Sequence, residues 1–305
     1  MKGLELAKNY YEEFGLPMLQ RDFEQYIDRI AVGLVGHGSE CFGYDDALSR
    51  DHDFEPGFCL WLTAEDEREF GFKLFRAYSK LPKEYQGLTV AKKSLFGRDA
   101  KGVHTIDEFY SYYIGSKELP KSNYDWLSIP DFYLAEAVNG EVFCDKLGEF
   151  TRRRQYLINE CPEEVWQKKI ASALFYMAQY GQYNYSRCLK HGEKSAAALA
   201  LSEFARHTAQ VCYLINKKYA PYYKWLFRGL MDIGCAEINA ELDILLSCPH
   251  SEDNISLIEE ICRSINEMLI AQCYTDKAID YLEPVAYDIN DRIKDSQLRN
   301  MPIML

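Results

Sequence analysis

The spacing of hydrophobic residues changes in character about halfway along the chain. Residues 2–29 carry aromatic and aliphatic positions at helical spacing, interrupted at Gly15 and Pro17, which predicts two short amphipathic helices. The apolar run 31–35 then ends in the glycine-rich sequence GHGS at 36–39, as expected of a buried strand that stops at a tight loop. Further strands are predicted in 52–62, 87–95 and 141–145, and helices over 64–81, 105–114 and 130–139.

From residue 147 onward, long helical segments follow one another with few turns and almost no strand signal. They cover about 147–159, 162–189, 193–217, 221–233, 236–246, 255–273 and 283–294. The predicted fold class is therefore α+β. A mixed sheet flanked by helices forms an amino-terminal domain over residues 1–147, and an all-α helical bundle forms a carboxy-terminal domain over residues 148–305. This boundary depends only on the change of periodicity.

Composition and charge narrow the class of protein. At 305 residues, with 48% hydrophobic and 14% aromatic residues, the chain is typical of a folded protein with two domains. Its net charge of -12 disfavours non-specific binding to nucleic acid. No apolar run approaches the roughly 20 residues that span a bilayer, and the first ten residues show no secretory signal. The ten cysteines are scattered without a CxxC pair, which favours reduced thiols and a cytoplasmic location.

The residues that point to chemistry follow the first predicted strand. Gly38 allows a phosphate to approach the backbone closely, and Ser39 adds a hydroxyl to the loop. Asp51 lies twelve residues after Ser39, and Asp53 lies two further on, so an extended backbone places both carboxylates on one face. Two such acids, about 6 to 7 Å apart, suit divalent cations. A nucleoside triphosphate arrives as a magnesium complex, so this order of residues predicts Mg²⁺ and a nucleotide.

The same residues resemble a known family. Gly-Ser, about a dozen residues, then Asp-x-Asp is similar to the signature of the DNA-polymerase-β-like nucleotidyltransferase superfamily. The fuller pattern resembles a bacterial family of unknown function that is usually described as nucleotidyltransferase-like. The segments that carry this likeness are 43–46 (GYDD), 49–53 (SRDHD), 139–143 (NGEVF), 179–187 (QYGQYNYSR), 192–193 and 216–225.

The resemblance covers nearly the whole chain, and aminoglycoside and lincosamide nucleotidyltransferases are more distant relatives with the same two-part plan. It implies magnesium-dependent transfer of a nucleoside monophosphate, with ATP as the expected donor, to a hydroxyl of an unidentified small molecule. The cleft is expected between the two domains. Membrane and nucleic-acid partners are not expected.

One departure from the superfamily pattern affects catalysis. A third carboxylate usually comes from a later strand, and His104 stands where the resemblance places it. Asp107 and Glu108 are nearby, but Thr105 and Glu108 match a capping box, which explains Glu108 without chemistry. A missing third acid would weaken the second metal, because hard cations prefer oxygen ligands to imidazole. A non-catalytic nucleotide-binding or regulatory protein is therefore the alternative, followed by an enzyme that nucleotidylates a protein or tRNA.

Other polar residues have both a functional and a structural interpretation. Arg50 contacts a phosphate or is simply solvated. The lysines Lys218 and Lys224 can reach phosphates, and the ring of Tyr219 either contacts the nucleotide or belongs to the helical core. The polar run 179–187 carries more hydrogen-bonding side chains than a buried helix face tolerates without partners, which predicts a wall of the cleft.

Overall fold

The computed structural model describes residues 1–46, 55–89 and 101–305. This part of the chain is α+β, with a small mixed sheet flanked by helices and a helical carboxy-terminal region, as the hydrophobic pattern predicted. It divides into two compact units. The first comprises Met1–Pro120 and Tyr133–Glu160, and the second comprises Lys121–Phe132 and Cys161–Leu305. The boundary between residues 147 and 148, meant as a division into separately folding domains, stays a prediction.

The strands are short. In the described ranges they are β1 (Ala31–Leu34), β2 (Cys59–Leu62), β3 (Glu84–Tyr85), β4 (Leu88–Thr89), β5 (Gly102–Thr105) and β6 (Glu141–Cys144). Four of them form a sheet in the order β5-β2-β1-β6, and β3 pairs with β4 in a separate hairpin. Strand β1 is antiparallel to both β2 and β6, whereas β5 is parallel to β2, so the sheet is mixed.

Helices make up most of the rest of the described chain. They are α1 (Gly3–Tyr10), α2 (Leu16–Asp22), α3 (Ser39–Phe42), α4 (Ala64–Asp66), α5 (Phe72–Tyr78), α6 (Ile106–Ile114), α7 (Asn123–Ser128), α8 (Asp131–Val138), α9 (Glu149–Asn159), α10 (Glu163–Met177), α11 (Ser186–Lys190), α12 (Lys194–Ile215), α13 (Tyr223–Leu226), α14 (Ala236–Ser247), α15 (Asn254–Ala271), α16 (Leu282–Asp291) and α17 (Ser296–Asn300). Wider π-helical turns occupy Tyr11–Gly15, Glu67–Gly71 and Ala178–Tyr185, and 3-10 turns occupy Glu24–Arg29 and Arg228–Leu230.

Alternation along the strands gives the first unit two apolar layers. Leu60 and Leu62 of β2 belong to a buried cluster with residues of α1, α2 and α5. Trp61 points to the opposite face, where its ring stacks on Phe150 of α9 at 4.0 Å and meets Phe109 of α6 edge-on. Successive strand side chains point to opposite faces, so one buried strand serves both layers.

The regular elements described in the second unit are helices joined by loops. Helix α10 packs along α12 and α16, and the π-helical turn that continues α10 crosses α12. At this crossing Gly181 lies so close to α12 that an added Cβ would stand 2.3 Å from the Phe204 ring. Packing at this density leaves no room for a larger residue.

Several predicted elements differ in extent. The predicted helix over 221–233 is instead the short α13 followed by a 3-10 turn. Helix α7 lies between the predicted helices over 105–114 and 130–139, where Ser122 and Asp125 form a capping box and Trp126 is buried. Of the strand expected over 52–62, the structure describes β2 and the residues from 55 onward. The strand expected over 87–95 lies partly outside the described residues.

In the described part of the chain, none of the helices has the length and apolar character required to cross a bilayer.

Candidate functional site

Four strand ends meet at one end of the sheet. The pairing of Gly33 with Cys59 brings the end of β1 next to the start of β2, and the pairing of Cys59 with Gly102 adds the start of β5. Leu34 pairs with Glu141, which brings the start of β6 to the same place. We call this the loop end of the sheet, because residues 36–39 leave it there.

The loop that leaves β1 depends on glycine at two positions. Gly36 and Gly38 both have φ +122°, a backbone conformation that other residues rarely adopt. A Cβ on Gly36 would stand 2.5 Å from the Tyr113 hydroxyl, and one on Gly38 would stand 2.6 Å from Oε2 of Glu40. Ser39 then begins α3. The predicted strand, glycine turn and serine are therefore present in this order.

A side chain from far along the sequence fixes the loop. Oδ1 of Asn139 accepts a hydrogen bond from the Gly36 N–H at 2.8 Å, and Nδ2 of Asn139 donates to the Gly36 carbonyl at 2.8 Å. Nη2 of Arg154 donates to the carbonyls of Asn139 and Gly140 at 3.2 and 3.3 Å. Burial lowers the pKa of this guanidinium. The turn between α8 and β6 is thus a rigid support for the loop.

His37 lies on the loop and has a buried acid beside it. Nδ1 of His37 is 3.2 Å from Oε1 of Glu136, and the histidine side chain is 72% exposed whereas the glutamate is 7% exposed. The Tyr113 hydroxyl accepts a hydrogen bond from the His37 N–H at 3.0 Å. Burial, and next the charge of Glu136, raise the pKa of Tyr113, so its hydroxyl stays protonated. The sequence pattern gave no signal for Glu136 or Tyr113, because both lie about 75 to 100 residues from the loop.

A buried ion pair lies directly behind the loop. Nζ of Lys101 is 3.4 Å from Oε1 of Glu40, and each side chain is 9% exposed. The same ammonium donates to the Glu55 carbonyl at 2.7 Å. Lys101 therefore joins α3 to the segment that leads into β2. Sequence reasoning missed this lysine, since only the sheet register brings it to the loop end.

Two buried cysteines, Cys41 and Cys59, lie at this end of the sheet. Burial raises the pKa of Cys59 to about 12 and that of Cys41 well above its ordinary value. A thiol reacts as its thiolate, so neither is poised for chemistry. All ten cysteines lie in the described ranges and are free thiols, as the sequence predicted.

The predicted metal ligands and the neighbouring candidate phosphate contact come from residues 50–53. Asp51 and Asp53, together with Arg50, lie outside the described residues, so their roles stay predictions. Among the residues that the structure does describe, no group of three or more histidines, cysteines, aspartates or glutamates is arranged to hold a metal ion. The fit of Mg²⁺ to this chain therefore depends on the carboxylates of Asp51 and Asp53.

The strand that was expected to supply a third acid is β5. His104 lies on it in register with Trp61 of the neighbouring β2. Asp107 is paired with Arg153 at 2.7 Å, and Glu108 closes the capping box with Thr105, which confirms the structural interpretation of Glu108. Both acids near His104 are thus held by partners within the first unit.

The candidate nucleotide-contact residues of the second unit differ among themselves. Lys218 and Lys224 are exposed, as are the rings of Tyr222 and Tyr223 between them. Tyr219 is 8% exposed, and its ring is stacked on Trp166 at 5.2 Å. Its contacts are those of a core residue, which was the other interpretation of this tyrosine.

Side chains of the polar run 179–187 make hydrogen bonds to other parts of the second unit. Nε2 of Gln182 donates to Oε2 of Glu259 at 2.7 Å and to the Asp280 carbonyl at 2.9 Å, while its Oε1 accepts from the Leu282 N–H at 2.9 Å. The Tyr185 hydroxyl accepts from Nδ2 of Asn254 at 3.0 Å. These bonds join helices of the second unit and explain why the run is polar.

Comparison with known families finds a match over residues 126–226 to a family described as a domain of unknown function, DUF4037. The match covers about a third of the chain and includes Lys218, Tyr219 and Lys224 but not the loop after β1. No curated protein and no solved structure matches the chain. The similarity therefore gives no activity, and function must be argued from the residues themselves.

Proposed function

We propose that this chain binds a nucleoside triphosphate, ATP in the first instance, as its magnesium complex and transfers the nucleoside monophosphate to a hydroxyl of a small molecule. The observation that carries the proposal is the loop end of the sheet. There Ser39 follows two glycines of positive φ in the loop after β1, beside the start of β2. In the sequence, Asp53 precedes Cys59, the first residue of β2, by six residues.

The loop contributes binding of phosphate oxygens. Gly38 has no side chain, so the loop turns with the Glu40 carboxylate packed against it, and in this proposal the Ser39 hydroxyl donates a hydrogen bond to a phosphate oxygen. Asn139 and the buried pair of Lys101 with Glu40 hold the loop in this conformation, so little ordering accompanies binding. In this proposal Asp51 and Asp53 hold Mg²⁺, which neutralises charge on the triphosphate.

The segment 216–224 contributes cations and rings. Its exposed lysines Lys218 and Lys224 suit contacts to phosphate, and the exposed rings of Tyr222 and Tyr223 suit stacking on a base. Tyr219 anchors the segment by packing on Trp166. In this proposal Lys218 and Lys224 contact the nucleotide, and Tyr219 holds the segment that carries them in place.

The alternative is a non-catalytic nucleotide-binding protein. It is favoured by one observation: β5 presents His104 where an acid was expected, while Asp107 and Glu108 have partners of their own. Both functions require binding of the magnesium complex, and only the first requires release of pyrophosphate. Turnover therefore separates them.

The test is thermal unfolding with ATP in the presence and absence of Mg²⁺. The melting temperature is expected to rise only with both, and Asp51→Ala or Asp53→Ala should abolish the magnesium-dependent part. Glu252→Ala, at an exposed position of the second unit, is the control and should respond like the parent. An unchanged response in both aspartate variants would remove the metal site from the proposal.

Pyrophosphate release with a library of hydroxylated acceptors then measures transfer. Release that depends on Asp51 and Asp53 supports the transferase. Binding without release, across the library and for several nucleoside triphosphates, supports the regulatory alternative.

A further inference from the structure

One face of the first unit has a charge opposite to that of the whole chain. Lys73, Arg76 and Lys80 follow one another at spacings of three and four residues, which places them on one side of α5 and its continuation. All three are exposed. Arg21, at the end of α2, faces the same groove. Four cations therefore line one groove in a chain of net charge -12.

The groove is open and has an apolar floor. It encloses about 530 Å³ between the stretch from Met18 to Tyr26 and helix α5. The buried side chains of Met18 and Phe23 and the side chain of Leu81 contribute apolar lining. The acid lining it is Asp22, which accepts two hydrogen bonds from Arg21 at 2.8 and 2.7 Å. The charge of Asp22 acts on Arg21 and also on Lys80. One acid therefore faces four cations in the lining, which leaves an excess of three positive charges.

An exposed aromatic ring lies next to the cations. Phe72 is 71% exposed, and the Arg76 guanidinium lies 6.0 Å from the centre of its ring. Phe75, on the same helix, is 49% exposed. An exposed ring beside an apolar groove is typical of surfaces that bury it against a partner.

We infer that this groove, lined by Arg21, Lys73, Arg76 and Lys80, docks a short acidic peptide segment of a partner protein, with an apolar side chain of that segment against Phe72. Charge complementarity selects the occupant. The carboxylates of the segment meet the excess positive charge of the lining, and its apolar residues cover the apolar part of the groove and the Phe72 ring.

The extent of the charge distinguishes a peptide from larger polyanions. A nucleic acid extends well beyond four cations and over a surface whose net charge is -12, which repels phosphates. A bilayer surface is broad and flat, whereas these cations line a groove between two elements. A short peptide segment fits within the groove. Salt screens electrostatic interactions beyond about 10 Å, so a segment of this size interacts with the groove cations and little with the acidic surface farther away.

The probe is a fluorescein-labelled twelve-residue peptide with six aspartates and glutamates around a Leu-Phe pair, measured by fluorescence anisotropy. The double variant Lys73→Glu with Lys80→Glu is expected to weaken binding by at least about 20-fold. The matched control is Lys190→Glu with Lys194→Glu, which changes the net charge equally at exposed lysines of the second unit and should bind like the parent. Phe72→Ser should weaken binding about 5-fold without altering charge.

Three further arms decide between occupants. A peptide with asparagine and glutamine in place of the acids should not bind, and circular dichroism of each variant verifies that it is folded. Equal binding by the parent and the Lys73, Lys80 variant overturns the inference, as does equal binding of the amide peptide. Tighter binding of an oligouridylate or of phosphatidylserine vesicles, lost in the same variant, would also overturn it. So would a dimer of the parent that this variant converts to monomer.

Discussion

Two polar regions of the molecule invite comparison, the loop after β1 and the π-helical turn in the second unit. In the loop, the side chain of Asn139 bonds the backbone of Gly36, which fixes a conformation that few residues adopt. In the helical turn, Gln182 bonds Glu259 and the backbone of two other residues, which fixes one helix against another. Both regions bury polar groups with partners, but the partners in the loop hold a strained backbone, whereas those in the turn hold two elements together.

The difference teaches how to interpret polar residues in a sequence. A polar run on a helix satisfies itself by bonding to neighbouring helices, so its polarity is not by itself a sign of a ligand. The conformation of a ligand-binding loop is held by contacts with other elements, and the residues that make these contacts are distant from the loop in the sequence. Substitutions in the π-helical turn should therefore change stability alone, whereas substitutions at the loop should also change ligand binding.

The largest expected effect is a pH dependence of stability from the helical unit. His207 is buried, with its ring stacked on Tyr176 at 4.5 Å. Burial, and next the charge of Arg206, lower its pKa from 6.5 to about 3. Between these values the unfolded chain binds a proton that the native chain does not, so the free energy of unfolding falls as the pH falls. The slope is about 1.4 kcal/mol per pH unit.

Urea unfolding at pH 8 and pH 5 measures this term. His207→Phe keeps a ring against Tyr176 and should lose stability less steeply on going from pH 8 to pH 5. The control His191→Gln, at an exposed histidine, should follow the parent. Parallel pH profiles for the parent and His207→Phe would show that the buried imidazole does not contribute.

Gln182→Met tests the helical turn directly. The change removes three hydrogen bonds, one of them to a carboxylate, and should lower the free energy of unfolding by about 2 to 3 kcal/mol. Affinity for the magnesium triphosphate, measured by calorimetry on the folded variant, should not change. Asn184→Met in the same turn removes none of these bonds and should have little effect on stability. A loss of triphosphate affinity in Gln182→Met would return this turn to the binding site.

Asn139→Ala tests the support of the loop. It removes both hydrogen bonds to Gly36 and should lower the free energy of unfolding by about 2 kcal/mol. Unlike Gln182→Met, it should also weaken triphosphate binding, because the loop no longer keeps its bound conformation. Asn159→Ala, at an exposed asparagine of α9, is the matched control. If stability fell while affinity stayed constant, the loop would not belong to the ligand site.

Ser39→Ala should have the smallest effect on the fold and a specific effect on binding. Loss of one hydrogen bond to a charged group weakens triphosphate affinity by about 1 to 2 kcal/mol. Ser39→Thr keeps the hydroxyl and should retain most of that affinity. Equal calorimetric constants for the parent and Ser39→Ala would mean that Ser39 only begins α3.

Local patterns in the sequence were sufficient for much of the fold. The apolar run before the glycine loop is β1, the capping box of Thr105 with Glu108 begins α6, and the helical periodicity of the second half corresponds to α10, α12 and α15. These features depend on residues that are close together in the sequence, so local sequence patterns are sufficient to predict them. The π-helical turn Ala178–Tyr185 does not follow the 3.6-residue period and could not be recognised this way.

The site was harder to predict because its supports are distant in sequence. Gly38 and Ser39 have a local signature, but the residues that support their loop do not. Asn139, Glu136 and Lys101 contact Gly36, His37 and Glu40, and all three are distant from them in the sequence. Tyr219 illustrates the reverse problem, since an aromatic residue between exposed lysines has the same sequence context whether its ring is buried or free. Burial is decided by packing over the whole unit, and no local pattern records it.

The interleaving of the two units has a consequence for how the protein is made. Phe150, which is fully buried on Trp61, leaves the ribosome long after the strands that it covers, and the stretch Lys121–Phe132 in between belongs to the other unit. Lys168 is likewise buried in α10, where its ammonium donates to the Met301 carbonyl at 2.8 Å. During synthesis, the apolar layer around Trp61 therefore stays incomplete until Phe150 has been made. The hydrogen bond of Lys168 to the Met301 carbonyl likewise cannot form until Met301 has been made. Until Phe150 has been made, the uncovered apolar face of the sheet is open to aggregation.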